Sequence, residues 1–198
     1  MSNQTKVQVA VYQKPKKGNT CCGDSYYYIE TENAFVCALA DGLGSGVYAK
    51  ESSDVVINII KENVHDHVEE LVKKCNVELF GKRGVVLGIF KIDYIVRNYS
   101  FSSIGNIGFI SITKDKKKKR NIPNSGYLSG FRKKFKILQE NLEAQMNFVM
   151  FTDGVTNCEL SSNFYIHSDV DDITKSFEVQ SDSKRDDDTT LIAMRYEE

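Results

Sequence analysis

A chain of 198 residues with 41% hydrophobic and 27% charged residues has the make-up of a globular domain large enough to bury a real core. A formal charge of −1 gives no global field toward nucleic acid or membrane. The aliphatic patches, such as those at 55–57 and 85–87, are far too short to span a bilayer, and the polar start of the chain lacks the apolar stretch of a signal peptide.

Taken in order, residues 7–12 alternate weakly and predict a first strand. Pro15, Gly18 and Asn19 mark a loop, and Gly23-Asp24-Ser25 leads into an aromatic strand at 26–29. After a turn at 31–33, residues 34–39 form a continuous apolar run that predicts a central strand. The run delivers Ala40-Asp41-Gly42-Leu43-Gly44-Ser45-Gly46, which alone reads as a tight strand-to-helix turn.

Ser45 is the expected N-cap of a helix reaching Asn63, with Ser52, Val55, Val56, Ile59 and Ile60 on its buried face. Asp66-x-x-Glu69 resembles a capping box for a second helix. Its stripe is Val68, Leu71, Val72, Cys75 and Leu79, and Gly81 can end it.

Strands are then predicted at 85–90, 94–103, 107–112, 135–138, 148–151 and 190–196. In the second of these, Ile95, Tyr99 and Phe101 share one face and Asn98, Ser100 and Ser102 the other. Residues 115–120 are expected as a charged turn, and a short helix runs from Asp169 or Asp171 to Phe177. No repeat or linker divides the chain, so one domain over 1–198 is expected. Many short strands after two amphipathic helices predict an α+β fold with mostly antiparallel sheet.

Five cysteines, Cys21, Cys22, Cys37, Cys75 and Cys158, include no C-x-x-C pair. A disulfide framework or zinc site is therefore not expected, and the chain reads as reduced and cytoplasmic. Cys21-Cys22 is taken as local packing, with oxidation the lesser reading. The run at 114–120 reads as a solvated hairpin tip, its functional alternative being docking to an acidic partner. It carries no interleaved aromatics for stacking on nucleic acid. His65 and His67 lie two apart and cannot share a helix face, so they read as a helix start rather than a metal pair. Lys184-Arg185 could balance the neighbouring acids or attract phosphate.

The carboxylates carry the functional signal. Asp41 and Asp153 follow predicted strands, while Asp24 and the pair Asp187-Asp188 precede them. Neighbouring antiparallel strands place the end of one beside the start of the next, so these acids can meet at one sheet edge. Clustered carboxylates repel unless a cation neutralises them, and an all-oxygen set suits Mg²⁺ or Mn²⁺. Each Asp alone is more often a turn or cap residue. Spacing leaves both readings open.

The segments Gly23-Asp24-Ser25, Ala40-Asp41-Gly42-Leu43-Gly44, Ser103-Ile104-Gly105-Asn106, Thr152-Asp153-Gly154 and Asp187-Asp188-Thr189-Thr190 occur in an order that resembles the metal-dependent protein phosphatases of type 2C, the PPM family. The resemblance covers almost the entire chain. The compact length, 40–46 followed by 49–53, Lys82-Arg83-Gly84 and 125–130 resemble most the small phosphoserine phosphatases of the bacterial general-stress pathway.

That resemblance implies a four-layer α-β-β-α sandwich of two antiparallel sheets with a helix pair on each side. It implies two divalent ions, Mn²⁺ or Mg²⁺, held by Asp41, the Gly42 carbonyl, Asp153 and Asp187. Asp24 acts through water, and Asp188 sits behind the ligands or shares the role of Asp187. It implies hydrolysis of phosphoserine or phosphothreonine by metal-activated water. The implied substrates are stressosome proteins resembling RsbS and RsbR, so that a monomeric enzyme damps sigma-B activation. Two departures stand out. No Arg precedes Asp24, where 19–22 read Asn-Thr-Cys-Cys, and Leu43 occupies a position where larger members carry His. A phosphoprotein-binding regulator without turnover and a small-molecule phosphomonoesterase remain as alternatives.

Overall fold

The apolar run beginning at Ala34 organises the architecture, because both of its faces are buried. In the computed structural model, which describes residues 5–161, 164–167, 169–181 and 185–198, it lies within a nine-residue strand, β3 (Ala34–Gly42). Successive side chains of a strand point to opposite sides. Phe35, Cys37 and Leu39 enter one core cluster, and Val36, Ala38 and Ala40 enter another. A strand covered on both faces reads as unbroken apolar sequence.

The chain runs β1 (Val7–Lys14), β2 (Asp24–Glu30), β3, α1 (Val47–Glu62), α2 (Val68–Glu78), β4 (Val85–Asp93), β5 (Asn98–Ile104), β6 (Gly108–Ile112) and β7 (Lys118–Arg120). It continues β8 (Leu138–Asn141), β9 (Asn147–Phe151), α3 (Asn157–Ser161), a 3-10 turn (Phe164–Ile166), α4 (Val170–Gln180) and β10 (Thr189–Tyr196). Two five-stranded sheets result, ordered β1-β10-β9-β6-β7 and β2-β3-β4-β5-β8. Every ladder between these strands is antiparallel.

Between the sheets lies an aromatic core centred on Phe90, whose ring meets Phe148 at 4.6 Å and Phe109 at 5.3 Å. Helices α1 and α2 cover the outer face of the β3 sheet. Leu160 of α3 with Val170, Ile173 and Phe177 of α4 covers the other sheet. The layers are helix, sheet, sheet, helix, the expected α+β sandwich.

Several local expectations are corrected. Gly46, at φ +73°, and not Ser45, occupies the N-cap of α1, and no side chain caps it. The fully buried face of α1 is Ala49, Ser52, Ser53, Val56, Ile57 and Ile60; Ile59 packs partly buried against the same core, as expected, and Val55 is only half-buried. Close approach sets the start of that face: a Cβ on Gly42 would stand 2.0 Å from the Ala49 carbonyl oxygen. His67, not Asp66, holds the N-cap position of α2, because the Asp66 carboxylate pairs with Lys74 at 2.7 Å.

The strand expected from Tyr94 starts only at Asn98. The Asp93 carboxylate accepts from the amides of Ile95 (2.9 Å) and Val96 (3.0 Å), which closes a turn and leaves Ile95 exposed. The strand expected at 135–138 is displaced to β8. Asn124 Oδ1 takes the Lys136 amide and the Lys136 carbonyl accepts from Ser102 Oγ, so that backbone is already engaged. The charged run is a turn only in its first half; its second half is β7 on the edge of β6. There Lys118 donates to Tyr165, Lys119 pairs with Glu140 and Arg120 lies over Phe151. The helix start at Asp169 is as expected, its side chain accepting from the amides of Asp171 and Asp172. His65 and His67 flank the α1–α2 link, which Lys91 ties down by donating to the carbonyls of Val64, His65 and Asp66.

Candidate metal centre

The β2–β3 register places Asp24 directly opposite Asp41. Facing residues of antiparallel strands hold their Cβ atoms about 5 Å apart. On the other sheet, Leu191 pairs with Phe151, so Thr152 at the end of β9 meets Thr190 at the start of β10. The Thr190 amide donates to Thr152 Oγ1 at 2.9 Å. Both threonine hydroxyls then donate to Asp24 Oδ2, at 3.0 Å from Thr152 and 2.7 Å from Thr190. Gln13 Nε2 supports this link by donating to Thr190 Oγ1 at 3.0 Å. The two sheets are thus joined through one carboxylate at their common edge.

Asp24 is wholly buried, and its Oδ1 has no hydrogen-bond partner among the described residues. Burial pushes its pKa up to about 6, against the pull of the two hydroxyls. Asp41 is pushed further, to about 8, first by burial and then by the fields of Asp24, Asp153, Asp187 and Asp188. Asp153 is raised by burial and then by Asp187, while Asn106 Nδ2 holds its Oδ2 at 2.5 Å. Asp153 and Asp187 are exposed, Asp41 is half-buried and Asp24 forms the floor. An acidic recess therefore opens from a buried base to a solvent-facing mouth.

Asp188 behaves differently from its neighbour. Its Oδ1 accepts from the Lys16 amide at 2.8 Å and its Oδ2 from the Gly23 amide at 2.9 Å. Both oxygens are spent on clamping the β1–β2 loop beside Asp24. Asp187 keeps its carboxylate at the mouth, where Oδ1 accepts the Asp188 amide at 3.0 Å. Gly42 is required for a reason additional to any ligand: the α1 backbone occupies the space of its side chain.

Whether the recess suits divalent ions can be judged from the residues themselves. Among the described residues, no group of three His, Cys, Asp or Glu side chains is disposed to hold an ion by itself. The acids that lie in one another's fields are all aspartates, and a buried carboxylate oxygen is left unpaired among them. An unpaired buried acceptor is costly. A hard cation with its waters is the partner that this donor set fits.

Three polar residues that hold the acids had no role in the sequence reading: Thr152, Thr190 and Asn106. All three lie inside the quoted motif segments, so the signal was present as polar residues next to each acid. Lys50 is a fourth, its Nζ donating to Ser25 Oγ at 2.8 Å and to the Asp24 carbonyl at 3.3 Å. Arg185 does not balance the acids. It is buried, pairs with Glu159 at 2.8 Å and packs over Phe177 and Tyr12. Lys184 lies outside the described residues. Cys22 is buried and its thiol is pushed up to about 12 by burial and by Asp24, which leaves it protonated and inert, as packing requires. Leu43 is exposed beside the recess and brings no proton donor.

Comparison with known proteins bears on this arrangement. Residues 31–197 match the family model described as stage II sporulation protein E (SpoIIE). The phosphoserine phosphatase RsbX of Bacillus subtilis (strain 168) is 33% identical over 186 residues, 94% of this chain and 94% of that protein. The crystal structure of RsbX in complex with magnesium superposes with a TM-score of 0.89 at 33% identity, covering 96% of this chain and 94% of the other. A structure reported with the bacterial stressosome shares the fold at a TM-score of 0.82 and 21% identity, covering 96% of this chain and all (100%) of the other.

Proposed function

The chain belongs to the SpoIIE family of type 2C phosphatases, and from that premise we propose that it is a divalent-metal-dependent protein phosphatase that hydrolyses phosphoserine or phosphothreonine. Its substrates are phosphorylated components of a stressosome resembling RsbS and RsbR, and it acts as a monomer in the cytoplasm to restrain the sigma-B response. The likeness to RsbX supports the substrate class and the pathway, and the magnesium in the RsbX crystal supports the cofactor. No helix among the described residues is long and apolar enough to cross a membrane.

The observation that carries the reading is the unpaired Oδ1 of buried Asp24 at the base of four mutually repelling aspartates. Asp41, Asp153, Asp187 and the Gly42 carbonyl would hold two Mn²⁺ or Mg²⁺ ions, with Asp24 engaged through water and Asp188 fixing the loop behind. When bound, such ions lower the pKa of a water and neutralise charge on the phosphate oxygens. The chain's own part is positional. Thr152 and Thr190 fix one oxygen of Asp24 and leave the other to accept from a water. Asn106 holds Asp153 in place. With Leu43 at the rim, the leaving serine oxygen takes its proton from solvent.

Phosphate release from p-nitrophenyl phosphate and from phosphoserine proteins, with Mn²⁺, with Mg²⁺ and with a chelator, tests this. Turnover of both substrates only with metal, lost in Asp41→Ala shown folded by circular dichroism, is the expected result. No turnover with any metal would make the protein a phosphoprotein-binding regulator. Turnover of the small ester alone would make it a small-molecule phosphomonoesterase.

A further inference from the structure

Cations and apolar side chains that the acidic recess does not use converge on one face. After Tyr127 the chain returns across the end of α2, and Asn76 ties it there. The Asn76 Oδ1 accepts from the amides of Ser129 (3.2 Å) and Gly130 (3.1 Å), and its Nδ2 donates to the Phe131 carbonyl at 2.8 Å. Between α2 and this segment lies a groove of about 770 Å³, lined by Val72, Leu128 and Phe135 and by Arg132, Lys133 and Lys134. Gly130, also in its lining, lies against Phe80, whose ring meets Phe131 edge to face at 6.2 Å. Phe80 and Phe131 are each 71% exposed.

The charge of the groove is one-sided. Among the described residues Arg132, Lys133 and Lys134 form no ion pair. The one acid in the lining, Glu69, is already paired with Lys73 at 2.8 Å. With a net charge of −1 on the whole chain, this is a local basic patch and not a general field.

A short backbone path links the lining of the groove to the recess. Gly42, next to Asp41, pairs with Val85, and Val85 exchanges both backbone hydrogen bonds with Leu128 at 2.9 Å. Two inter-strand steps of about 4.8 Å put the backbone of Leu128, in the lining of the groove, roughly 10 Å from that of Gly42. Tyr127 and Leu43 both crowd Gly84 along this path.

We propose that the groove docks an acidic segment of the protein substrate, anchored by an apolar side chain, while the phosphorylated residue reaches the acidic recess at the other end of the Leu128–Val85–Gly42 path. This rests on the phosphatase reading and adds a recognition element to it. The cations border an apolar floor of Val72, Leu128 and Phe135, and the two exposed rings beside it, Phe80 and Phe131, meet edge to face, so an acidic peptide with an apolar anchor is the occupant the groove fits. The basic groove offsets the repulsion an acidic substrate meets at the recess, and it lets docking be separated from chemistry.

The test uses a fluorescein-labelled, unphosphorylated, glutamate-rich peptide carrying two leucines, followed by anisotropy in chelator. The variant Arg132→Glu/Lys134→Glu changes two exposed side chains and should fold normally. Binding to the wild type, weakened by about tenfold or more in the variant, is expected. Turnover of p-nitrophenyl phosphate with Mn²⁺ should be unchanged. No binding by the wild type, or equal binding by both proteins, would overturn the proposal. So would tighter, variant-sensitive binding of an oligothymidine, or self-association of the wild type that the variant abolishes in sedimentation. Loss of p-nitrophenyl phosphate turnover in the wild type would sink the phosphatase reading and leave the anisotropy to decide the groove.

Discussion

Replacing Asp24 by Asn should stabilise the metal-free protein in a pH-dependent way while abolishing its activity. The side chain keeps its shape but loses a charge that is wholly buried, with one oxygen unpaired. Burial raises the Asp24 pKa from 3.8 to about 6, so the folded chain binds this proton more tightly than the unfolded chain. Stability from this group is therefore full below about pH 4, falls as pH rises, and is lost above about pH 6. At about 1.4 kcal/mol per tenfold change in proton affinity, the loss is roughly 3 kcal/mol. Asparagine does not titrate, and its own desolvation cost is the same at every pH. The stability of Asp24→Asn relative to wild type should thus rise by roughly 3 kcal/mol between pH 4 and pH 7.5, or about 6–12 °C in Tm for a chain of this size. Asp41, raised to about 8 partly by Asp24, adds to the effect in the same direction. Urea unfolding in chelator at the two pH values measures it. A relative stability that stays within about 0.5 kcal/mol across that range would refute the account of the acidic recess.

Three further outcomes follow from the same geometry. Gly42→Ala places a methyl 2.0 Å from the Ala49 carbonyl oxygen, so α1 must shift; a loss of about 2–3 kcal/mol in chelator is expected, and an unchanged Tm would show that the contact is not tight. Thr190→Val removes the 2.7 Å hydrogen bond to Asp24 and should cost about 1–3 kcal/mol above pH 6, with Thr190→Ser restoring most of it. Mn²⁺ should raise Tm strongly at pH 7.5 and weakly at pH 4.5, because Asp24 and Asp41, with pKa values raised to about 6 and about 8, hold protons that a cation must displace. Equal stabilisation at both pH values, read by calorimetry, would remove these two acids from the metal site.

The layers of the fold were legible because burial writes itself into sequence. β3 reads as unbroken apolar residues since one face meets the aromatic core and the other meets α1 and α2. The α2 stripe of Val68, Leu71, Val72 and Cys75 is buried as its spacing required. The errors lie where a single side chain outbids a pattern. One aspartate, Asp93, turns the chain and strips Ile95 from the strand that its hydrophobicity suggested. One asparagine, Asn124, takes the Lys136 amide and moves a strand to Leu138. On α1, Ser52, Val56, Ile59 and Ile60 face the core as their spacing required, but Ala49 was missed because its place is set by the backbone approach of Gly42, which leaves no periodic signal. A five-residue helix such as α3 is too short to carry a periodic signal at all.

The acids show a different limit. Asp187 and Asp188 are identical letters side by side, and nothing in their spacing says which one is free. The bend before β10 separates them: there Asp188 meets the amides of Lys16 and Gly23, and Asp187 stays exposed. A carboxylate that accepts two backbone amides has little left to offer a cation, whereas Asp187 retains an oxygen at the mouth. Asp24 likewise matters less for being acidic than for having one oxygen held by two threonines and the other, among the described residues, without a partner. Position in a motif brings an acid to the sheet edge; the hydrogen bonds it has already made decide whether it can still act there. Leu43 completes the argument by contrast. It stands at the rim with no group to give a proton, so in the proposed reaction the acids and what they hold carry the chemistry, and the proposed groove carries the selectivity.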